Sequence, residues 1–272
     1  MTELGQPTTD HPITSGEGAV SLDWAAVTDV GLRRAHNEDS YLASAPLFVV
    51  ADGMGGHTAG DVASDAVVRR MGEIPAGEWL RPQDVEEALR RATEDIAVAA
   101  EGTELGVGTT VTGAFLSLRD GVPEFTVFNV GDSRVYLHEG GELQQVTVDH
   151  SVVQEMVDAG LLRAEDAEDH PDSNVITRAV GFDVDARPDY WRVPLRAGQR
   201  LLVCSDGLTK ELRPARIAEL LESVPGAART ASALVRAAVE AGGRDNVTVV
   251  VVDVRGTSAE PTETTGSGPI PD

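Results

Sequence analysis

Four aspartates stand at the ends of apolar runs in this chain. Residues 45–51 (APLFVVA) stop at Asp52-Gly53, residues 125–130 (FTVFNV) at Gly131-Asp132, and residues 201–205 (LLVCS) at Asp206-Gly207. Asp245-Asn246 directly precedes the run 247–252. Continuous Val, Leu, Ile and Phe runs bounded by glycine read as buried strands. A carboxylate at the mouth of such a strand is costly to keep ionised without a partner. Four at one sheet edge repel unless a cation lies between them. Hard divalent cations such as Mg²⁺ or Mn²⁺ take oxygen ligands of this kind. Any single Asp-Gly serves equally well as a hairpin turn, so the metal reading rests on the four together.

The elements that must carry these aspartates follow from periodicity. Strands are expected at 20–30, 47–51, 107–118, 124–130, 134–138, 143–146, 200–205 and 247–254. The turns Arg119-Asp-Gly-Val and Glu139-Gly-Gly-Glu make hairpins of the third with the fourth and the fifth with the sixth. Helical spacing covers 59–71, with Asp61 near its start, and 81–100, where Pro82 suits the first turn and Val85, Ala88, Leu89, Ala92 and Ile96 share one face. Shorter helices are expected at 151–159, ending at Gly160, and at 214–223 and 227–241. Strands come in sequential hairpins and helices in pairs, which favours antiparallel sheets with helices outside over a doubly wound parallel sheet.

The chain has 272 residues, 41% of them hydrophobic, which is enough for a sizeable core in one domain. Its net charge of −23 argues against nucleic-acid or anionic-membrane partners. No apolar run is long enough to span a bilayer and the N-terminus lacks a signal-peptide core. The single cysteine, Cys204, lies inside an apolar run and reads as a buried thiol. These features together point to the cytoplasm. Residues 1–20 and 256–272 are rich in Gly, Pro, Thr and acids without periodicity, and read as disordered ends around a domain at 21–255. Lys210 is the only lysine, so nearly all positive charge is arginine, the better bidentate partner for phosphate.

An ordered set of short motifs runs through the domain: GLRRAHNED at 31–39, DGMGGH at 52–57, Gly108-Thr109-Thr110, NVGDSR at 129–134, DHS at 149–151, HPDSNVITRAVG at 170–181, SDGL at 205–208 and GGRDNVTVVVV at 242–252. Each is common alone, but in this order the set resembles the metal-dependent Ser/Thr protein phosphatases, the PPM or type 2C family, in their short bacterial form. The resemblance implies an α+β fold, a four-layer α-β-β-α sandwich of two antiparallel sheets flanked by helix pairs. It implies a centre of two Mn²⁺ or Mg²⁺ ions, with a third optional. Matched motif to motif, Asp52 bridges two metals, the Gly53 carbonyl binds the second, and Asp206 and Asp245 hold the first. Asp132 lies at the third, with Asn174 near it. Asp39 orients the attacking water, and Glu38 acts beside it or reaches the metal through water. Arg34 matches the phosphate-binding arginine, while Arg33 points elsewhere. Some family members carry a histidine directly after Asp-Gly; Met54 stands there in this chain, so that role does not pass to His57. His150 and His170 read as structural or flap residues. The implied activity is hydrolysis of phosphoserine and phosphothreonine on proteins, opposing a Ser/Thr kinase; the alternative is a non-catalytic phospho-binding regulator on the same fold. The acidic stretch 146–181 reads as a mobile flap beside the centre.

Overall fold

A strand covered on both faces shows no polar alternation, which is why 247–251 reads VTVVV. The computed structural model describes residues 1–13, 20–55, 60–75, 77–100, 106–182 and 187–256. Two mostly antiparallel sheets pack face to face within it. The first runs β1 (Glu3–Leu4), β4 (Asp39–Ser44), β5 (Leu47–Met54), β7 (Val111–Arg119), β8 (Val122–Val130), β11 (Asp189–Pro194), with β6 (Gly108–Thr109) paired to β5. The second runs β10 (Glu142–Gln145), β9 (Arg134–Glu139), β12 (Arg200–Cys204), β13 (Val247–Gly256), β3 (Val20–Asp29), β2 (Thr8–Ile13). The expected hairpins β7–β8 and β9–β10 form, and Asp120 and Gly121 both take positive φ at the first turn, as a two-residue hairpin loop requires.

Successive side chains of a strand face opposite ways, and the core divides accordingly. Phe48 and Val50 of β5 meet Val250 and Val252 of β13, together with Trp24, Phe125 and Leu201, between the sheets. Val49 and Ala51 face α1 (Gly60–Gly72) and α2 (Pro82–Ala99) on one outer side. Val249 and Val251 face α5 (Pro214–Ser223) and α6 (Ala227–Ala241) on the other. The result is the expected helix–sheet–sheet–helix sandwich. Two shorter helices, α3 (Val152–Asp158) and α4 (Asp206–Thr209), lie nearer the site.

The N-terminal expectation needs correction over residues 1–13. They form β1, paired in parallel with β4, and β2, paired antiparallel with β3, so the chain start joins both sheets. Ile13 is buried in the inter-sheet core, the Trp24 indole donates to the Gln6 carbonyl at 3.1 Å, and Tyr41 N–H donates to the Thr2 carbonyl at 3.0 Å. An edge strand needs backbone partners and little apolar surface, so the polar composition hid it. Residues 257–272, also expected to be disordered, lie outside the described residues.

Candidate metal centre

Backbone register and close packing assemble the site before any side chain is considered. β4 and β5 pair so that Asp39 lies directly opposite Asp52, an arrangement of like charges that destabilises a bare sheet. Past Asp52 the chain is pressed against its neighbours. A Cβ at Gly53 would come within 2.1 Å of the Gly60 carbonyl oxygen and 2.6 Å of that of Glu38. Only glycine permits that approach. The same holds at Gly207, where a Cβ would lie 1.9 Å from the Asn246 carbonyl oxygen. That contact sets Asp206, at the start of α4, beside Asp245, just ahead of β13. Asp132 sits in the turn after β8, where His150 Nδ1 accepts the Gly131 N–H at 3.0 Å. Asn246 clamps the loop carrying Arg34 and Glu38: its amide donates to the carbonyls of Val30 and His36 at 3.0 Å each and accepts from Glu38 N–H at 2.8 Å.

The carboxylates so gathered are poorly neutralised. One oxygen of buried Asp39 accepts from Ser205 Oγ at 2.9 Å and Thr248 Oγ1 at 2.6 Å. Its other oxygen has no partner. Burial above all, then repulsion from Asp206 and Asp245, outweighs those two hydrogen bonds and pushes Asp39 up to about 7. Burial and the charges of Asp39, Asp206, Asp132 and Asp245 drive Asp52 well above the ordinary carboxylate range. Asp132 is pushed up to about 7 by burial and Asp206, against the pull of Lys210. Burial also raises Glu38. Asp206 Oδ1 is buried without a partner, and so is Asp61 Oδ1 at the start of α1.

Two cationic side chains enter this cluster. Arg34, half-exposed at the mouth, donates through one guanidinium nitrogen to Asp245 Oδ2 at 2.8 Å. The Lys210 ammonium contacts Asp206 Oδ2 and lies 3.8 Å from Asp245 Oδ2. Burial alone would favour its neutral amine, but the charge of Asp206 holds it protonated above its usual range. Among the described residues no group of three or more His, Cys, Asp or Glu side chains is already closed around one point; Lys210 and Arg34 take up carboxylate oxygens there. Unpartnered buried oxygens on Asp39 and Asp206, mutually repelling carboxylates and an all-oxygen donor set fit a hard divalent cation.

Arg34, Glu38, Asp52, Gly53, Asp132, Asn174, Asp206 and Asp245 all line one open cleft of about 850 Å³. Asp39 lies buried beneath it and Asn174 is exposed at its edge. Arg33 is exposed and not part of the lining, whereas His57 lies outside the described residues. Segment 146–181 lines the same cleft through Glu168, Asp169, Ser173, Asn174 and Ile176. It is tied down at one end by Arg134, which grips Asp149 at 2.7–3.0 Å and Glu168 at 3.3 Å. Sequence reasoning missed the hydroxyls of Ser205 and Thr248, the Asn246 clamp and the inward aim of Lys210. Only Lys210 gave a signal, its spacing of four residues from Asp206. Cys204 is buried and its thiol pushed up to about 12, mainly by burial, as befits an inert packing residue.

Comparison with known proteins agrees with this geometry. Residues 33–240 match the family model for Protein phosphatase 2C. The chain is 42% identical over 241 residues to the serine/threonine protein phosphatase PstP of Mycobacterium tuberculosis, covering 86% of this chain and 45% of that protein. It thus spans about half the length of these mycobacterial relatives. It is 36% identical over 239 residues to the serine/threonine phosphatase stp of Listeria monocytogenes, covering 83% of this chain and 93% of the relative. Among solved structures, the catalytic domain of PstP in complex with two manganese ions superposes with a TM-score of 0.77 at 39% identity, covering 87% of this chain and 99% of that one. Motif order, sandwich architecture, converging carboxylates and these matches have one common account: the chain belongs to the protein phosphatase 2C family.

Proposed function

We propose that this chain is a metal-dependent protein phosphatase that hydrolyses phosphoserine and phosphothreonine on proteins. The observation that carries the proposal is the convergence of Asp39, Asp52, Asp132, Asp206 and Asp245 at one end of the sandwich, with buried oxygens left unpartnered, below an arginine at the cleft mouth. Asp245 holds one end of the Arg34 fork, whose further N–H groups suit phosphate oxygens. Asp39 has one oxygen fixed by Ser205 and Thr248 and the other free, an arrangement suited to orienting the attacking water. Asp52, the Gly53 carbonyl, Asp206 and Asp245 would hold two Mn²⁺ or Mg²⁺ ions, with Asp132 and Asn174 toward a third and Glu38 alongside. When bound, the ions supply hydroxide at neutral pH and neutralise charge on the transferring phosphoryl group.

We further propose that segment 146–181 helps to select substrates, and that the enzyme opposes a Ser/Thr kinase in the cytoplasm. No helix among the described residues is long and apolar enough to cross a membrane. The non-catalytic alternative is less well supported, because no carboxylate of the set is missing and the named relatives are phosphatases. The test is phosphate release from a phosphothreonine peptide by the purified chain. Release in Mn²⁺ that stops with chelator is expected. Peptide binding without release in saturating Mn²⁺ would return the binding-module alternative.

A further inference from the structure

Lys210 is the one lysine in 272 residues, and it sits among carboxylates that repel one another. It follows Asp206 by four positions, across the single turn of α4, so both side chains share a side. Its ammonium contacts Asp206 Oδ2 and lies 3.8 Å from Asp245 Oδ2. Arg134 and Arg244, two other cations of the cleft, are engaged elsewhere. Arg134 is held by Asp149 and Glu168, and Arg244 by Glu211 and the Lys210 carbonyl. Arg34 donates to Asp245 from the mouth and, among the described residues, has no hydrogen bond to Asp206.

The oxygens that Lys210 engages belong to two carboxylates assigned above to the same metal ion. An ammonium and a divalent cation cannot both lie close to them without strong repulsion. The lysine stem is flexible, and its side chain is already 31% exposed, so the ammonium has a way out toward solvent. We propose that Lys210 is an internal counter-cation that competes with the divalent metal for Asp206 and Asp245 and so sets how tightly the centre holds metal. The inference rests on the metal-centre reading. It has two linked consequences: Lys210 stabilises the metal-free chain, and metal entry displaces its ammonium. A fixed partner that orients Asp206 for the metal would act with the opposite sign, since removing such a partner weakens metal binding.

The test is calorimetric titration of Mn²⁺ into the chelator-stripped full chain and its Lys210→Met variant, with thermal unfolding of both. The variant is expected to bind its first Mn²⁺ at least about tenfold tighter, given the size of close charge repulsion. Its Tm is expected to be lower without metal and to rejoin that of the parent at saturating Mn²⁺. Lys210→Arg, which keeps the charge, is expected to bind like the parent. Unchanged or weaker binding by Lys210→Met overturns the proposal while leaving the metal centre intact. If the parent itself takes up no Mn²⁺, the metal-centre reading fails and this inference with it. Should the variant not fold without metal, the parent carries the test alone. With ¹³C at the lysine ε-carbon it gives one lysine signal, which must shift in step with Mg²⁺ binding. A signal unmoved at saturation overturns displacement.

Discussion

Replacing Asp39 by Asn is predicted to stabilise the metal-free chain while disabling it. Asp39 is buried and its carboxyl is pushed from 3.8 up to about 7. At 1.36 kcal/mol per pH unit, ionised Asp39 therefore destabilises the metal-free fold by about 4 kcal/mol at pH 8. Asn keeps a neutral oxygen that accepts from the Ser205 and Thr248 hydroxyls, as the protonated carboxyl does, and escapes the penalty of ionisation. The gain of about 4 kcal/mol at pH 8 corresponds to roughly 8–16 °C in Tm for a domain of this size. The sign has a pH signature. A carboxyl whose folded value is raised gives stability that is fully present below its unfolded value and is lost as pH rises through the folded one. Metal-free parent protein thus gains on the variant as pH falls from about 7 toward 4, and the difference closes near the lower value. Thermal unfolding in chelator at pH 8, 6 and 4 measures it. A variant that is less stable at pH 8, or a difference independent of pH, refutes the reasoning. In Mn²⁺ the same variant is expected to lose most of its turnover, a trade of function for stability.

Asp52→Asn, Asp206→Asn or Asp245→Asn should each lower turnover by several orders of magnitude in excess Mn²⁺ while circular dichroism stays unchanged; a near-parental rate for Asp52→Asn removes the two-metal mechanism. Arg34→Ala should raise KM more than it lowers kcat on a phosphopeptide, because the fork grips phosphate in ground and transition states alike, and an unchanged KM returns Arg34 to an ordinary surface role. Ile13→Ala should cost about 2–5 kcal/mol in urea unfolding if β2 is part of the core, and almost nothing if the N-terminal segment is loose. Exchanging segment 146–181 for that of another family member should change relative rates on different phosphoproteins and leave p-nitrophenyl phosphate hydrolysis nearly unchanged; equal loss on both makes the segment part of the catalytic scaffold.

The sandwich was legible because both its sheets are buried on both faces. Under that condition strands become unbroken Val, Leu and Phe runs, as in β5 and β13, and any carboxylate interrupting them stands out. Edges lack that contrast. β1, β2 and β11 are short and partly exposed, so their pairing rests on backbone groups every sequence possesses. β4 escaped periodicity for another reason: it begins on Asp39 and carries two serines, Ser40 and Ser44. Ser40 is buried because its hydroxyl is satisfied by Ser64 and by the Thr2 N–H.

The same contrast decides which site residues could be read. A strand-end aspartate in an apolar setting is costly and therefore informative. Ser205 and Thr248 are ordinary residues for their positions, and become functional only when pairing sets β12 beside β13 and points both hydroxyls at Asp39. Lys210 falls between these cases. Its rarity was visible, but its meaning depended on a one-turn helix that delivers an ammonium into a carboxylate cluster. Sequence thus announces groups whose burial would be unfavourable in isolation, and stays silent on the partners that make that burial tolerable. Those partners decide which oxygens stay free: Ser205 and Thr248 occupy one oxygen of Asp39 and Lys210 one of Asp206, and the other oxygen of each is left unpartnered.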